Sequence, residues 1–546
     1  MFKYRLLPTL DLSYIQTMSF DWSFPYHSQR MPVLASNVVA TSQPLAAQAG
    51  LYMLHEGGNA VDAAIAAAIA LTVVEPVNTG IGGDAFAMVW DGSNLHGLNA
   101  SGKSPADWSY DYFAGKYRAM PRFGWDSVTV PGTVSAWVQL SRKFGRLPFS
   151  MLFEPAIRYA YDGFPVSPKS AHLWDIATKT YTDFPEFRKT FLVNDKALAT
   201  GQIFKCVDMA RTLEKIADSG GETFYKGEIA EKIARNSQEM GGLMKYADLA
   251  GHLPMWVGPV VQPYRNLDIH ELPPNGQGIA AQIALGIIEY FDLSKYPVDS
   301  TDSLHIQIEA MKLAFADIKA HLADPDFMQV GYQELLDRDY LKKLANLIDM
   351  KRASYPVSGI QPDRGTVYLT AADSSGMMVS YIQSNFWGFG SGIVIPGTGI
   401  AMQNRGSGFS LERGHPNQVD GSKRPYHTII PGFISKDGRP VMSFGVMGGH
   451  FQPQGHVQMV TRIFDYKQNP QTACDAHRWM VTEDGKVAVE PGFGKATMIE
   501  LSSRGHEIIT DQPESIFGGA QLIYRLDNGS YLGASDPRKD GLAVGF

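Results

Sequence analysis

The dipeptide Gly365-Thr366 is the feature of the sequence with the clearest chemical potential. It follows a polar, proline-containing stretch at residues 355–364 and opens a segment that alternates as a β-strand does. Because glycine has no side chain, the Gly365 carbonyl could be presented to the Thr366 hydroxyl. An N→O acyl shift followed by hydrolysis would cut the chain before Thr366. The freed α-amine, with an intrinsic pKa of about 8, could then serve as the base for the Thr366 hydroxyl.

A Gly-Thr pair is common, so the elements that would position it matter. Residues 44–74 predict two helices around a Gly57-Gly58 turn, and a glycine cluster at 78–83 leads into a strand. That cluster lacks the Lys-Ser/Thr of a phosphate loop. Residues 135–260 are helical in pattern, and further helices are predicted at 279–290 and 303–322. Beyond residue 355 strands dominate, at 366–372, 377–383, 392–395, 428–435 and 441–444.

The composition is that of a globular protein of 546 residues with 44% hydrophobic and 19% charged residues. Lys and Arg number 48 against 55 Asp and Glu, a net charge of −7, which argues against nucleic-acid or anionic-membrane partners. The apolar stretch 63–74 is too short to span a bilayer. Residues 1–30 lack the apolar core of a signal peptide, so we expect a cytoplasmic enzyme.

Metal and disulfide chemistry have no support in the sequence. The two cysteines, Cys206 and Cys474, are expected to be reduced and buried. No CxxC or HExxH spacing occurs, so we expect no zinc site and no other metal.

Several motifs, in order along residues 33–546, resemble the γ-glutamyltransferase family of N-terminal-nucleophile hydrolases. The nucleophile segment of that family begins with a Thr that opens a strand running to an Asp-x-x-Gly turn. The matching segments are Gly57-Gly-Asn-Ala-Val-Asp, Thr79-Gly-Ile-Gly-Gly-Asp, Glu271-Leu-Pro-Pro, Ala323-Asp-Pro-Asp-Phe, Gly365-Thr-Val-Tyr-Leu-Thr-Ala-Ala-Asp-Ser-Ser-Gly, Lys423-Arg-Pro-Tyr-His-Thr-Ile-Ile-Pro, Gly445-Val-Met-Gly-Gly-His and Gly533-Ala-Ser-Asp-Pro-Arg-Lys-Asp-Gly.

The resemblance implies an α+β fold, the four-layer αββα sandwich of N-terminal-nucleophile hydrolases. It implies cleavage between Gly365 and Thr366 into a large subunit, 1–365, and a small subunit, 366–546, which remain together as a heterodimer. Thr366 falls on the nucleophile, Gly448 and Gly449 on the paired glycines of the oxyanion hole, and Ser384 on a second hydroxyl that contacts the nucleophile. The substrate would be a small-molecule amide, no cofactor or metal would be needed, and further homo-oligomerisation stays open.

The substrate pocket departs from the family pattern. Ser101 stands where the family has an arginine for the substrate α-carboxylate, and Gly408 where it has an aspartate for the α-ammonium. The stretch from 410 to 424 is shorter than the loop that usually forms a lid. A free amino acid needs both a cation and an anion in its pocket, so glutamyl specificity is in doubt. These departures resemble the lidless, acylase-like branch of the family.

Other residues are candidates for the acyl pocket. Arg405 and Lys103 could bind a single carboxylate, as in a glutaryl group. The remaining substrate-binding candidates are Asn385, Tyr426, His427 and Thr428.

The expected function is a self-processing amidohydrolase or acylase that works through an acyl-Thr366 intermediate. Because an open site admits water, hydrolysis should exceed transfer to an amine. Two alternatives remain: a true γ-glutamyl transferase or glutathione hydrolase that uses other pocket residues, and a cleavage-deficient, non-enzymatic relative.

Overall fold

A computed structural model of the uncleaved chain describes residues 30–354 and 365–546. The stretch 355–364, predicted to be an exposed linker, and residues 1–29 lie outside the described residues. The helices are α1 (Pro44–His55), α2 (Ala60–Val74), α3 (Tyr110–Lys116), α4 (Thr133–Phe144), α5 (Glu154–Asp162), α6 (Pro168–Thr180), α7 (Pro185–Phe191), α8 (Val207–Asp218), α9 (Glu222–Lys226), α10 (Glu228–Glu239), α11 (Tyr246–Ala250), α12 (Gly278–Ile288), α13 (Thr301–His321), α14 (Tyr332–Leu335), α15 (Arg338–Ala345), α16 (Gln452–Val460), α17 (Pro470–Asp475) and α18 (Lys495–Ser503).

The strands are mostly short and antiparallel. They are β1 (Val33–Ala35), β2 (Val38–Thr41), β3 (Asp84–Trp90), β4 (Leu95–Asn99), β5 (Phe164–Pro165), β6 (Ile203–Phe204), β7 (Met255–Val257), β8 (Val260–Tyr264), β9 (Leu267–Glu271), β10 (Val367–Ala372), β11 (Met378–Ser384), β12 (Val394–Ile395), β13 (Ile400–Ala401), β14 (Gly432–Lys436), β15 (Arg439–Met447), β16 (Trp479–Val481), β17 (Val487–Val489), β18 (Ile508–Ile509), β19 (Gly519–Arg525), β20 (Tyr531–Ser535) and β21 (Leu542–Gly545).

Two seven-stranded sheets form the centre of the molecule. The first has the order β1-β20-β19-β15-β14-β9-β8 and the second the order β21-β2-β10-β11-β3-β4-β7. Each sheet therefore combines strands from before and after residue 365. A cut at that position would leave two chains that still share both sheets.

Helices cover the outer face of each sheet. On the second sheet, α2 packs over β10 and β11 and α1 packs over β2 and β21, and every residue of the Ala-rich α2 is buried. On the first sheet, α12 and α16 pack over β8, β9 and β15. Between the sheets lies a third cluster, which includes Phe86, Tyr368 and Phe433. This order of helix, sheet, sheet and helix is the predicted four-layer αββα sandwich.

Local signals predicted the first helices well. Asn59 caps α2: its side chain accepts from the N–H groups of Val61 and Asp62, while Asp62 accepts from the Asn59 N–H at 3.0 Å. This reciprocal capping satisfies donors that the helix leaves open. Pro44 is the first residue of α1, as predicted.

The prediction of a strand over 428–435 was wrong at its beginning. The strand starts only at Gly432, because residues 428–431 are held by side chains from elsewhere in the chain. The Thr428 carbonyl accepts from Gln277 Nε2 at 2.6 Å, and the Ile430 N–H donates to Gln452 Oε1 at 2.9 Å.

Candidate active site

Gly365 and Thr366 lie buried at the entry to β10, in the second sheet. Gly365 has φ +129°, and a Cβ there would lie 2.5 Å from the Gly388 amide nitrogen and 2.9 Å from the Phe386 carbonyl oxygen. Glycine is therefore required both by its backbone conformation and by the close approach of the 386–388 loop. Thr366 is 3% exposed, so its hydroxyl is enclosed in the uncleaved chain.

Ser384 contacts both Gly365 and Thr366. It ends β11, where Val367 pairs with Gln383, so the register brings Thr366 opposite Ser384. The Thr366 Oγ1 and Ser384 Oγ atoms are 3.0 Å apart, and Ser384 Oγ donates to the Gly365 carbonyl oxygen at 2.5 Å. With the Ser384 proton on that carbonyl, the Thr366 hydroxyl must donate to Ser384 Oγ.

The backbone that follows Ser384 is strained. Phe386 has φ +75°, in the left-handed backbone region that residues other than glycine rarely adopt. Its N–H donates to Ser384 Oγ at 2.8 Å, which fixes the Ser384 hydroxyl in place. Such strain often accompanies functional sites.

Gly448 and Gly449 join the end of β15 to the helical turn before α16. Their φ values are +130° and +57°, which favour glycine. Thr370 Oγ1 lies 2.6 Å from Ser443 Oγ, and the Tyr368 ring packs against Gly445. Because side chains on one face of a strand recur every two residues, we expect the next position along, Thr366, to face the Met447 end of β15. The two N–H groups at this helix start are suited to bind a negative charge.

Arg405 lies fully buried behind Ser384. Its Nη1 donates to Thr428 Oγ1 at 2.8 Å, and its Nη2 lies 3.5 Å from Ser384 Oγ. The guanidinium carbon is 3.9 Å from the centre of the Phe386 ring. On the far side, Nε is 3.8 Å from Asp84 Oδ2. Arg405 thus contacts both Thr428 and Ser384, the residue beside Thr366.

His427 is also fully buried and contacts Asp84. Its Nε2 is 3.0 Å from Asp84 Oδ2, while the Ile429 N–H points at its Nδ1 from 3.4 Å. Burial, together with the charge of Arg405, holds the pKa of His427 well below its usual range. The ring is therefore neutral, and the Nε2 hydrogen donates to the carboxylate.

Tyr426 faces a second buried histidine. Its hydroxyl donates to Gln277 Oε1 and lies 3.1 Å from His450 Nδ1. Gln277 Nε2 in turn donates to the carbonyl oxygens of Thr428 and Gly449, at 2.6 and 2.8 Å. Gln277 therefore ties the loop with the pocket candidates to the paired glycines.

The other two pocket candidates differ in placement. Asn385 is fully buried against Gly80 and Gly83, and neither its Oδ1 nor its Nδ2 has a hydrogen-bond partner among the described residues. Lys103 is exposed, and no side-chain contact joins it to Arg405 or Tyr426 in the described part of the chain. The roles of both residues stay predictions.

Ser101 and Gly408, the two positions that depart from the family pattern, carry no charged side chain. Ser101 is buried, with its hydroxyl donating to Asn99 Oδ1 at 2.7 Å. At Gly408 a Cβ would lie 2.9 Å from the Tyr426 carbonyl oxygen, so a larger side chain would require the backbone to shift.

Sequence reasoning assigned no role to Asp84, Gln277 or His450. Asp84 and His450 are the last residues of two of the motifs that resemble the family, and Gln277 lies three residues after the Pro-Pro motif. Only the folded chain brings them to Arg405, His427 and Tyr426.

The family model described as Gamma-glutamyltranspeptidase matches residues 46–546. The chain belongs to the γ-glutamyltranspeptidase family. Among its relatives, the Bacillus subtilis protein named glutathione hydrolase-like YwrD proenzyme is 35% identical over 519 residues, which cover 93% of this chain and 98% of the relative. The oxamate amidohydrolase proenzyme of Klebsiella pneumoniae is 35% identical over 516 residues, which cover 92% of this chain and 97% of that protein.

A solved member of the γ-glutamyltranspeptidase fold is similar over nearly the whole chain. The crystal structure of cephalosporin acylase from Bacillus halodurans matches with a TM-score of 0.93 and 45% identity, covering 97% of this chain and 99% of that one. These similarities confirm the predicted fold and the predicted enzyme class, a self-processing N-terminal-nucleophile amidohydrolase or acylase. Among the described helices of this family member, none is long and apolar enough to cross a membrane.

Proposed function

We propose that the chain cuts itself between Gly365 and Thr366 and then hydrolyses small amides through an acyl-Thr366 intermediate. The observation that carries this proposal is the placement of Ser384 Oγ, 3.0 Å from Thr366 Oγ1 and 2.5 Å from the Gly365 carbonyl oxygen. A single hydroxyl thus contacts both the nucleophile and the oxygen of the bond to be cut.

In the processing step, Thr366 Oγ1 attacks the Gly365 carbonyl carbon. The hydrogen bond from Ser384 polarises that carbonyl and stabilises the negative charge that develops on its oxygen. The C–N bond then breaks, the nitrogen takes up the proton lost by the hydroxyl, and an ester joins Gly365 to Thr366 Oγ1. Water hydrolyses the ester, which frees the Gly365 carboxylate, the Thr366 hydroxyl and the α-amine.

In turnover, the Thr366 α-amine takes the proton of Oγ1 as the oxygen attacks the substrate amide carbon. The N–H groups of Gly448 and Gly449 bind the oxyanion, since they have no side chains to keep it at a distance. The ammonium then protonates the leaving amine. Water attacks the acyl ester by the same route and releases the acid.

The cleaved chain would be a heterodimer of subunits 1–365 and 366–546. The support is topological, because β2 pairs with both β10 and β21, and β9 pairs with β14. Separating the two subunits would break these ladders and expose the core between the sheets.

The acyl group is proposed to be a carboxylic acyl chain without the α-amino acid head of a γ-glutamyl group. Ser101 and Gly408 offer no charged partners for such a head. After cleavage, departure of Gly365 would leave space beside Ser384 from which Arg405 could reach a single carboxylate. The relative named cephalosporin acylase is consistent with acylase activity. Because another relative is named glutathione hydrolase-like, a γ-glutamyl group is the second candidate for the acyl group.

The test combines processing and substrate choice. We expect purified protein to yield a fragment with the N-terminal sequence Thr-Val-Tyr-Leu, and Thr366→Ala to remain a single chain without activity. Thr366→Ser is the matched control, because it keeps a hydroxyl nucleophile. A glutaryl anilide should be hydrolysed faster than a γ-glutamyl anilide, with little stimulation by a dipeptide acceptor. Cleavage in Thr366→Ala would contradict the nucleophile, and acceptor-stimulated turnover of the γ-glutamyl donor would favour the second candidate.

A further inference from the structure

Asp84 is a buried carboxylate behind the nucleophile, and the proposed chemistry gives it no step. It begins β3 and pairs in register with Ser384, the partner of Thr366. Its side chain is fully buried, and Oδ1 makes no hydrogen bond of good geometry within the described parts of the chain, although the backbone N–H groups of Gly102 and Gly132 lie near enough to the carboxyl to lower its pKa. A carboxylate is costly to bury unless its oxygens are bonded, so stability alone does not account for it.

The groups around Asp84 lead directly to the reacting atoms. Oδ2 accepts from His427 Nε2 at 3.0 Å and lies 3.8 Å from Arg405 Nε. At the other edge of the guanidinium, Arg405 Nη2 lies 3.5 Å from Ser384 Oγ. The guanidinium is therefore placed between a negative group and the hydroxyl that contacts Thr366.

We propose that Asp84 is a positioning residue, which holds Arg405 and His427 so that the Arg405 charge stays directed at Ser384 and Thr366. This inference rests on the proposed function, because it needs Thr366 as the nucleophile. A cation in that place stabilises the oxyanion formed during processing. In the cleaved enzyme it also favours the neutral form of the Thr366 α-amine, the form that can act as a base.

Besides Asp84, three described groups contact the Arg405 guanidinium. Thr428 holds Nη1, Phe386 covers one face, and Ser384 faces Nη2. Asp84 adds the negative charge nearest to Nε, at 3.8 Å, and so completes the set of described contacts that orient the guanidinium.

The charge of Asp84 depends on pH in the range of an ordinary assay. Burial raises the pKa of Asp84 to about 7, against the opposing charge of Arg405. The other ionisable groups that face it are His427, which is neutral, the more distant Arg424, and the buried Tyr225. Two groups, the Asp84 carboxyl and the Thr366 α-amine, would then have to lose a proton for full activity.

The experiment compares Asp84→Asn with wild type and with Asp62→Asn, a buried carboxyl at the start of α2 that serves as the control. For Asp84→Asn we expect self-cleavage to slow about 10-fold or more. In the cleaved fraction, kcat on a glutaryl anilide should fall about 10- to 100-fold while KM changes less than about threefold. Asp62→Asn should keep both kcat and KM per cleaved molecule.

A pH profile separates positioning from a merely structural role. The acid limb of log kcat should have a slope above one in wild type, because two groups titrate, and a slope of one in Asp84→Asn. A kcat within about twofold of wild type, or a loss confined to KM, would overturn the inference. If Asp84→Asn does not fold, a wild-type slope of one would overturn it as well. If the proposed function itself is wrong and Thr366 is not the nucleophile, the result would differ, because the wild-type chain would stay uncleaved.

Discussion

Two buried aspartate–arginine clusters in this molecule have opposite character. Asp536 accepts from Arg478 and from the Ala520 N–H at one oxygen, and from the N–H and Nη1 of Arg538 at the other. Asp84 has one short side-chain contact, to His427, an arginine at 3.8 Å, and only the weaker backbone contacts of Gly102 and Gly132 besides. Both side chains are fully buried, so burial alone does not distinguish them.

The difference in bonding shows in the pKa values. Two arginines and two backbone N–H groups outweigh burial and lower the pKa of Asp536 to about 2. At Asp84 burial dominates and raises the pKa to about 7. A fully bonded carboxylate stabilises its surroundings, whereas an under-bonded one keeps its charge adjustable. The first cluster lies wholly after residue 366, while the second joins residues from both sides of the proposed cut.

The largest expected effect is on the stability of the Asp536 cluster. Asp536→Asn would leave Arg478 and Arg538 buried with less negative charge, and we expect a loss of about 3–5 kcal/mol in the free energy of unfolding. Denaturant unfolding measures it, with Asp527→Asn at an exposed turn as the control, expected within about 0.5 kcal/mol of wild type. A loss below about 1 kcal/mol would remove the contrast between the clusters.

Ser384→Ala should slow self-cleavage more than it destabilises the fold. Loss of the hydroxyl that donates to the Gly365 carbonyl is expected to slow self-cleavage about 100- to 1000-fold, the usual cost of one oxyanion donor. Ser384→Thr keeps the hydroxyl and should restore most of the rate. A time course of the two fragments gives the answer, and unchanged cleavage in Ser384→Ala would rule out the proposed role of this hydroxyl.

The pH dependence of stability should differ between the clusters. The folded pKa of Asp84, about 7, exceeds its ordinary value of 3.8, so the folded chain holds a proton that the unfolded chain has lost. Its contribution to stability is therefore present at low pH and lost as pH rises from about 4 to 7. Because Asn does not titrate, the stability of Asp84→Asn relative to wild type should rise over that window.

Asp536 should show the opposite sign. Its folded pKa of about 2 lies below its ordinary value of 3.8, so its contribution is present above about pH 4 and lost as pH falls toward 2. Unfolding curves of wild type and the two Asn variants at several pH values test both signs. A relative stability of Asp84→Asn that is flat between pH 4 and 7 would contradict the raised pKa.

The smallest effect is expected at Tyr426. Tyr426→Phe removes the hydroxyl that bonds Gln277 and His450, at a cost of about 1 kcal/mol in stability. Gln277 would still donate to Thr428 and Gly449, so kcat should fall only a few-fold. Exposed Tyr246→Phe is the matched control, and a loss of activity as large as that of Ser384→Ala would place Tyr426 at the reacting centre instead.

Local rules predicted much of the fold. The first two helices follow from Pro44, the Gly57-Gly58 turn and the capping of Asn59, all of which act over a few residues. The prediction at 428–431 was wrong because Gln277 and Gln452, distant in the sequence, hold that backbone away from the ladder. Tertiary contacts override strand propensity in such places.

The candidate site was predictable only in part. Gly365, Thr366 and Ser384 follow one another on a β-hairpin, so a short-range pattern brings them together, and the structure places them in contact. Arg405 was a candidate for carboxylate binding, and its buried partner Asp84 had no such signal. Residues 84 and 405 meet because the backbone at residues 402–403 pairs with Gly82, just before β3.

The sequence by itself determined the dipeptide to be cut, the glycine-rich turn that serves as the oxyanion candidate and the family to which the chain belongs. Residue types and short spacings are enough to reveal these features, because the chemistry needs a hydroxyl directly after a glycine and the backbone N–H groups of glycines. The tertiary structure decided the charge behind the nucleophile. It buried Asp84, Arg405 and His427 together, within a few ångströms of one another, where water screens their charges poorly; on the inference above, these charges position the groups around Thr366.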